Sequence, residues 1–533
     1  MPANAQKPTE ADVSPYDLVP YPSDAFPQTD PRRIACVARM FGLTAADPRK
    51  ARVLELGCAS GGNILPLAGR MPQAEFTGVD FSGVQIGEAE RLAREYGVKN
   101  IRFEQMDLAK ITPEFGTFDY IICHGVYSWV PPLVQAAILR VCRDNLSDEG
   151  VAFVSYNTYP GWKPREILRD SMLFHTRHIP YGPAKLASAR GMLEFMRKTS
   201  PAGSTFRQIL DEQGAMLANA ADNYVLHDFL ETNNRPCYFN EFNDRLEAAG
   251  LAYLAETDVF MMFAENFGAE TQQALLNETN ANQVLMEQYL DYCTNRAFRQ
   301  TLIVKAERGD KIMRRIEAKT MQQFNYRGLF VGVEVDRADP KADLTFRTRR
   351  NTRLVARDAF GKAALLSLLE RQPGTLNFQG WLSAIKARIG GPKMLEGPVE
   401  PGNNLSSLIT QLVVGGNLDL FDEAVMPPLK NVSSPKADAF VRRQVSSGVT
   451  SIASPYHETT RLSVVETALV PKLDGTRTAA DLVSHLQAEV ASGRLQFQKD
   501  GAAIVGDDAV AAAARQHFEV SLVSLEQKAM LVR

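Results

Sequence analysis

Val53-Leu54-Glu55-Leu56-Gly57-Cys58-Ala59-Ser60-Gly61-Gly62-Asn63 is an apolar run that stops in a glycine-rich turn, and a helical pattern opens directly after it, from Asn63 to Arg70. The run reads as a buried strand. At the carboxyl edge of a parallel sheet, a turn of this kind is where ligands bind. Glycine lets the backbone approach a ligand closely, and the helix that follows presents N–H groups without intrahelical partners. A nucleotide-like ligand is expected. The glycine spacing narrows the choice. A dinucleotide fingerprint needs GxGxxG, with its second glycine clearing room for a pyrophosphate, but Ala59 stands at that place and the glycines fall as Gly57, Gly61 and Gly62. This disfavours NAD. The chain also lacks a GxxxxGK loop followed by Ser or Thr, so a P-loop nucleotidase is excluded.

Outward from this turn, residues 51–157 alternate short β-like runs with helical stretches: RVLELG and NILPLAGRM, FTGVDFS and GVQIGEAERLAREYG, IRFEQMD, FDYIICHGV and VQAAILRVCRDNL, GVAFVSYN. That alternation predicts right-handed βαβ units and a doubly wound, mostly parallel sheet. The second run ends at Asp80, where a carboxylate can accept both hydroxyls of a ribose. The third ends at Met106-Asp107, an apolar surface beside a carboxylate, suited to an adenine and its exocyclic amine.

The series ELGCASGG, VDFS, QMDL and FDYIICHGVYSWV resembles the motifs of class I S-adenosylmethionine-dependent methyltransferases, in order and at strand ends. The resemblance implies that Glu55, Gly57, Cys58 and Gly61 shape the pocket for the methionine portion of S-adenosyl-L-methionine. It implies further that Asp80 binds the ribose, that Phe81 and Met106 flank the adenine, and that Asp107 holds the adenine amine. His124 and Gly125 would lie near the sulfonium. A second resemblance reaches further along the chain. YDLVPYPS (16–23), SYNTYPGW (155–162) and YVLHDFLETNNRPCYFNEFNDRLEAAGLAYLAE (224–256) look like bacterial methyltransferases with a methyltransferase regulatory domain, a family that includes the rickettsial lysine methyltransferases acting on outer-membrane protein. Those enzymes pair the cofactor domain with dimerisation, middle and C-terminal domains.

Methyl transfer is an in-line displacement at a carbon activated by sulfonium charge, so positioning and water exclusion supply most of the acceleration. A lysine acceptor adds one demand. With a reference pKa of ~10.4, only about one lysine in a few thousand is neutral at pH 7, so the site must desolvate the amine or help it lose a proton. Aromatic faces favour the cationic methylated product. The candidates are Tyr16, Tyr21, Tyr127, Trp129, Tyr156, Tyr159 and Trp162, with Tyr21 and Tyr159 first, and His124 is the candidate proton relay. His175 and His178 lie three apart on a predicted helix, but no HExxH-type partner accompanies them, and no metal is expected. His227-Asp228 reads as interdomain packing, and the arginines of 347–357 read as a solvated face.

At 533 residues the chain is too long for one core, and three or four domains are expected. The boundaries read as an arm and lid over 1–30, the cofactor domain over 31–165, helical dimerisation and regulatory domains over 166–350, and winged-helix-like units over 351–533. The fold class is α/β: a Rossmann-like methyltransferase domain, mainly helical middle domains and a C-terminal winged-helix-like region. VEVDRADPKADLTFRT predicts a hairpin or linker, and PPLKNVSSPKADAFVRRQVSSG predicts surface loop or linker. GKAALLSLLERQPGTLNFQGWLSAI and SVVETALVPKLDGTRTAADLVSHLQ share a helix-turn-helix layout. Neither candidate recognition helix is notably basic and the net charge is −3, so no nucleic-acid partner is expected.

Six cysteines without a CxxC pair suggest reduced thiols in the cytoplasm, and no signal peptide or membrane span is read. Protein lysine N-methylation, with a protein substrate that includes outer-membrane or surface protein, is the leading reading, and a homodimer is an assembly it allows. A small-molecule methyltransferase acting on a lipid, peptide or polyketide precursor is the alternative. A non-catalytic cofactor-binding scaffold is the second.

Overall fold

A computed structural model describes residues 23–334, 343–389, 401–426, 433–449 and 451–532. Of the arm and lid, residues 1–22 lie outside the described residues, and with them Tyr16 and Tyr21. At the centre is a seven-stranded sheet in the order β3-β2-β1-β4-β5-β7-β6. Its strands are β1 (Arg52–Leu56), β2 (Glu75–Asp80), β3 (Ile101–Gln105), β4 (Phe118–Cys123), β5 (Leu146–Asn157), β6 (Leu251–Glu256) and β7 (Phe298–Lys305). β1 to β5 are parallel, and β7 runs antiparallel between β5 and β6. The Rossmann-like expectation holds. Val53, Leu54 and Leu56 of β1 are buried, as a strand covered on both faces requires. The helix Gly83–Tyr96 starts at Ser82, whose hydroxyl accepts from Gln85 N, and stops at Gly97 in the left-handed conformation.

Two strands of the sheet, β6 and β7, come from the stretch that the sequence reads as mainly helical, so the sheet draws on residues beyond 165. β7 escapes pattern reading because Arg299 and Thr301, its buried positions nearest the site, are polar. Arg299 sits among Glu256, Glu287 and Asp291, with nitrogen–oxygen distances of 3.1, 3.1 and 2.8 Å.

Three helices, Lys163–His175, Pro183–Thr199 and Thr205–Asn219, form a separate helical core through Leu168, Met172, Leu186, Leu193, Leu210 and Leu217. Phe330–Glu334 pairs antiparallel with Leu344–Thr348, flanking the stretch read as a hairpin or linker, of which residues 335–342 lie outside the described residues. The first helix-turn-helix pattern folds as Ala359–Arg371 and Phe378–Ile389 beside a three-stranded sheet, and its apolar residues join the core of the large sheet. The second lies in a C-terminal winged-helix domain with its own core, including Leu469, Leu482, Leu486 and Phe518.

Of the expected loop or linker over 427–448, residues 427–432 lie outside the described residues, and the rest contains a helix of the winged-helix domain itself, Ala439–Ser446, capped by Asp438. Its Phe440 packs on Leu65, Leu92 and Tyr96 of the cofactor domain, so a segment that reads as polar is an interdomain contact. All six cysteines are free thiols, five of them buried. Among the described residues, no helix is long and apolar enough to cross a membrane.

Candidate active site

Strand order reverses between β1 and β4, which places the crevice of a doubly wound sheet at their carboxyl ends. Gly57 N and Cys58 N donate to Val79 O at 2.8 and 3.0 Å, tying the glycine turn to β2. Gly57 has φ +75°, and a Cβ there would lie 2.4 Å from Val126 Cγ2. Gly61, at φ +78°, packs against Leu65 and Phe103, while the buried Cys58 thiol abuts Gly78. Asp80 Oδ2 accepts from Ala59 N and Oδ1 from Ser82 N, each at 2.9 Å, so this carboxylate joins the turns after β1 and β2.

Beneath the turn, Glu55 is buried and its Oε1 accepts from Asn63 Nδ2 at 2.7 Å. Its Oε2 is buried without a partner. Burial is the main cause that pushes the carboxyl up to about 8. The helix Ile64–Arg70 carries Asn63 at its entrance, and Asn63 Oδ1 accepts from Phe26 N at 3.0 Å. Ser23 closes the turn from above, its hydroxyl accepting from Gly62 N at 2.7 Å.

At the end of β4, His124 Nδ1 lies 3.0 Å from Ser155 Oγ, which also accepts from Gly125 N at 2.8 Å. The imidazole is surrounded by aromatic rings: Phe26 at 4.1 Å, Phe153 at 5.7 Å and Phe298 at 6.2 Å between centroids. Burial holds its pKa down at about 4, so the ring is neutral at physiological pH. Gly125, at φ +68°, borders open space, with nothing within 4 Å of a Cβ built there.

Along the other side of the crevice, Phe81 is 67% exposed, so its face is open for a flat ligand to cover. Met106 N donates to Asp80 O at 2.9 Å, and Asp107 Oδ1 caps the short helix Leu108–Lys110 through Ala109 N. The strand-end residues are thus brought together at one edge.

The aromatic candidates divide. Trp162 is buried against Trp129 and Phe229, with Arg165 over its ring, so packing occupies the faces that a substrate amine would need. Tyr127 and Tyr156 are buried against Phe242. Tyr159 is half-buried; its hydroxyl donates to Glu166 at 2.6 Å and the Lys163 amine sits 3.7 Å from its ring centroid. Phe26 and Phe298 were not singled out in the sequence, and Asn63 and Ser155 stood there only at the ends of longer motifs. Ser155 is buried like Val154 and Tyr156 beside it, so no alternation marks it.

His227 is buried and contacts the Tyr181 hydroxyl at 3.1 Å. Arg347, Arg349, Arg350, Arg353 and Arg357 each pair with a nearby carboxylate. Among the described residues no group of three or more His, Cys, Asp or Glu side chains is arranged to hold a metal ion.

Comparison with known proteins matches three families along the chain. "Methyltransferase domain" matches residues 53–150, "Predicted methyltransferase regulatory domain" residues 221–305, and "PKMT, C-terminal winged helix domain" residues 433–530. An uncharacterized protein of Rickettsia prowazekii (strain Madrid E), RP789, is 32% identical over 98% of this chain and 95% of its own. The structure of PKMT2 from Rickettsia typhi superposes with a TM-score of 0.85 at 25% identity, covering 96% of this chain and 100% of that one. PKMT2 in complex with AdoHcy gives a TM-score of 0.84 at 26% identity with the same coverage.

Proposed function

Because the chain belongs to the class I S-adenosylmethionine-dependent methyltransferases that carry a regulatory domain and a PKMT winged helix, we propose that it methylates the ε-amine of lysine in a protein substrate. It is a methyltransferase and its cofactor is S-adenosylmethionine. When bound, the cofactor supplies a methyl carbon made electrophilic by sulfonium charge. The residues present fit that group. Glu55 Oε2, buried and unpartnered, is an acceptor awaiting a donor from the ligand, and the space beside Gly125 leaves room at the end of β4.

In this reading Asp80 takes the ribose hydroxyls, Phe81 and Met106 flank the adenine, and Asp107 accepts from its amine with the oxygen not used for capping. Glu55, Gly57, Cys58 and Gly61 shape the methionine end. His124 and Gly125 border the transferring methyl. A neutral His124 adds no positive charge there, and a group of pKa about 4 is a weak base toward an ammonium. Desolvation therefore lowers the pKa of the acceptor amine so that it gives its proton to solvent water on entering, with His124 serving as part of the wall.

The observation that carries the reading is the aromatic enclosure of His124 by Phe26, Phe153 and Phe298 beside the gap at Gly125, an apolar surround that favours a neutral amine. Tyr159 adds less to it, because the Lys163 amine lies over its ring as Arg165 lies over that of Trp162. Incubation of the full-length protein with methyl-labelled cofactor and either whole-cell or outer-membrane protein tests the proposal. Label recovered as methyl-lysine in protein is the expected result, and label found solely in small molecules refutes it.

A further inference from the structure

We infer that a hairpin tip of the C-terminal winged-helix domain is part of the cofactor site, with His457 acting as a positioning residue for the glycine turn through Asn63. The inference rests on the cofactor assignment and not on the identity of the acceptor. His457 Nε2 lies 2.8 Å from Asn63 Oδ1, although the two residues are 394 positions apart. Asn63 Nδ2 is committed to Glu55 Oε1, which orients the amide so that Oδ1 faces His457. A carbonyl oxygen has two lone pairs. Phe26 N–H and His457 Nε2–H fill them, and the Thr29 hydroxyl, 3.0 Å from the same oxygen, is left to donate to Phe26 O at 2.8 Å. Nε2 therefore carries the imidazole proton, and the buried Nδ1 has no partner. Burial pushes the imidazole pKa down to about 3, so His457 stays a neutral donor to Asn63.

The surrounding backbone is built to hold this bond. His457 has φ +59°, a conformation uncommon for a residue with a Cβ, at the turn between Ser451–Ala453 and Thr459–Arg461. Ser454 O accepts from His457 N at 2.8 Å, and Ser454 Oγ accepts from Glu458 N at 3.2 Å. Thr459 exchanges two hydrogen bonds with the backbone of Ala25, at 2.8 and 2.9 Å, and Arg32 donates to Pro455 O at 3.2 Å. On the far side Tyr456 donates its hydroxyl proton to Pro373 O, and the Arg327 guanidinium lies 3.7 Å from the Tyr456 ring centroid.

The tip is thus clamped between the cofactor turn and the first winged-helix-like unit. Through Asn63 the tip is linked to two groups of the site. One is Glu55, beneath the cofactor turn. The other is Phe26, whose ring covers His124.

The test is S-adenosylhomocysteine binding to the full-length protein by calorimetry, with thermal unfolding of each variant. His457→Leu removes the donor and should weaken binding about tenfold, the effect of one buried hydrogen bond. His457→Asn is too short to reach Asn63 but is at ease at positive φ, so it should fold readily and weaken binding by a similar factor. His457→Gln carries an amide N–H at nearly the position of Nε2 and should restore affinity to within about threefold of wild type. Leu486→Ala, in the core of the winged-helix domain, should lower the unfolding temperature while changing affinity less than about twofold. Wild-type affinity in His457→Asn would overturn the inference, as would equal weakening by all of these variants, the pattern of general loosening. Failure of the wild-type chain to bind S-adenosylhomocysteine would instead overturn the cofactor assignment, a separate failure.

Discussion

Glu55 and Asp80 are both carboxylates at the glycine turn, yet their surroundings prepare them differently. Asp80 is held by two backbone amides, whereas Glu55 has one amide partner and one bare buried oxygen. With its pKa raised to about 8, Glu55 is mostly protonated at pH 7 in the free protein. A ligand bearing positive charge or donor groups at Oε2 favours the carboxylate, so cofactor binding should release a proton near neutral pH. Calorimetry in two buffers of different ionisation enthalpy reads that release directly, and Glu55→Gln should abolish it. The sign for stability follows from the same shift. A folded-state pKa above the unfolded one gives stability that is present below the unfolded value and lost as pH rises through about 8. Glu55→Gln should therefore gain on wild type between pH 6 and pH 9, and a difference independent of pH would show that the carboxyl is ionised in both states. Asp80→Ala makes a contrasting prediction: cofactor affinity falls at least a hundredfold while cooperative unfolding persists, because Gly57 N and Cys58 N still tie the glycine turn to Val79 O without it.

At the scale of elements, the turn between β1 and the helix Ile64–Arg70 is shaped as much by what presses on it as by its own conformation. Gly62 needs no positive φ, but a Cβ there would lie 1.8 Å from Ser23 O, so the 23–30 segment can cross the turn only over a bare backbone. Gly62→Ala should displace that segment, costing about 1–3 kcal/mol and weakening cofactor binding together with the Phe26–His124 contact. Denaturant unfolding and S-adenosylhomocysteine titration check the two effects, and a wild-type-like variant would mean that the segment moves freely. The strand ends of the site were legible in the sequence because each ends an apolar run in a residue of evident chemistry: Gly57, Asp80, Met106-Asp107, His124. Of the lid over them, the range 1–30 and the motif ending at Ser23 were legible, but the contacts were not: Phe26 carries no period or motif of its own, and the partner of Asn63, His457, belongs to another domain. The helix Ala439–Ser446 was hidden in the same way, its Phe440, Val441 and Val445 diluted by arginine, glutamine and serine.

Across the whole molecule, the regulatory segment is woven into the catalytic sheet, because residues 221–305 supply β6 and β7 and β7 pairs with β5 from Asn157 to Ala152. Sequence patterning missed this because the apolar Leu302, Ile303 and Val304 follow directly on the charged and polar Arg299 and Thr301, all of them buried. Arg299 of β7 is fully buried and meets Glu256 of β6 together with Glu287 and Asp291 of the helix Gln283–Thr294. Arg296 reaches Glu256 at 2.7 Å and Asp291 at 3.6 Å, but Glu287 has Arg299 as its one arginine within ion-pair distance among the described residues. Taking three carboxylates out of water is tolerable only while that guanidinium is present. Arg299→Met keeps most of the volume and removes the charge, and should destabilise the fold by about 3–5 kcal/mol. The loss should depend on pH. Without Arg299 the pKa values of the three carboxylates rise in the folded state, so the variant binds protons that the unfolded chain does not and loses stability as pH increases. Its deficit against wild type should be smaller at pH 5.5 than at pH 8 in denaturant unfolding followed by circular dichroism. A deficit of the same size at both would assign the effect to lost packing over Phe239, which the guanidinium also covers at 3.6 Å from the ring centroid. Because β7 also carries Phe298 to His124, methyl transfer by the variant, taken relative to wild type at the same pH, should be less impaired at pH 5.5 than at pH 8.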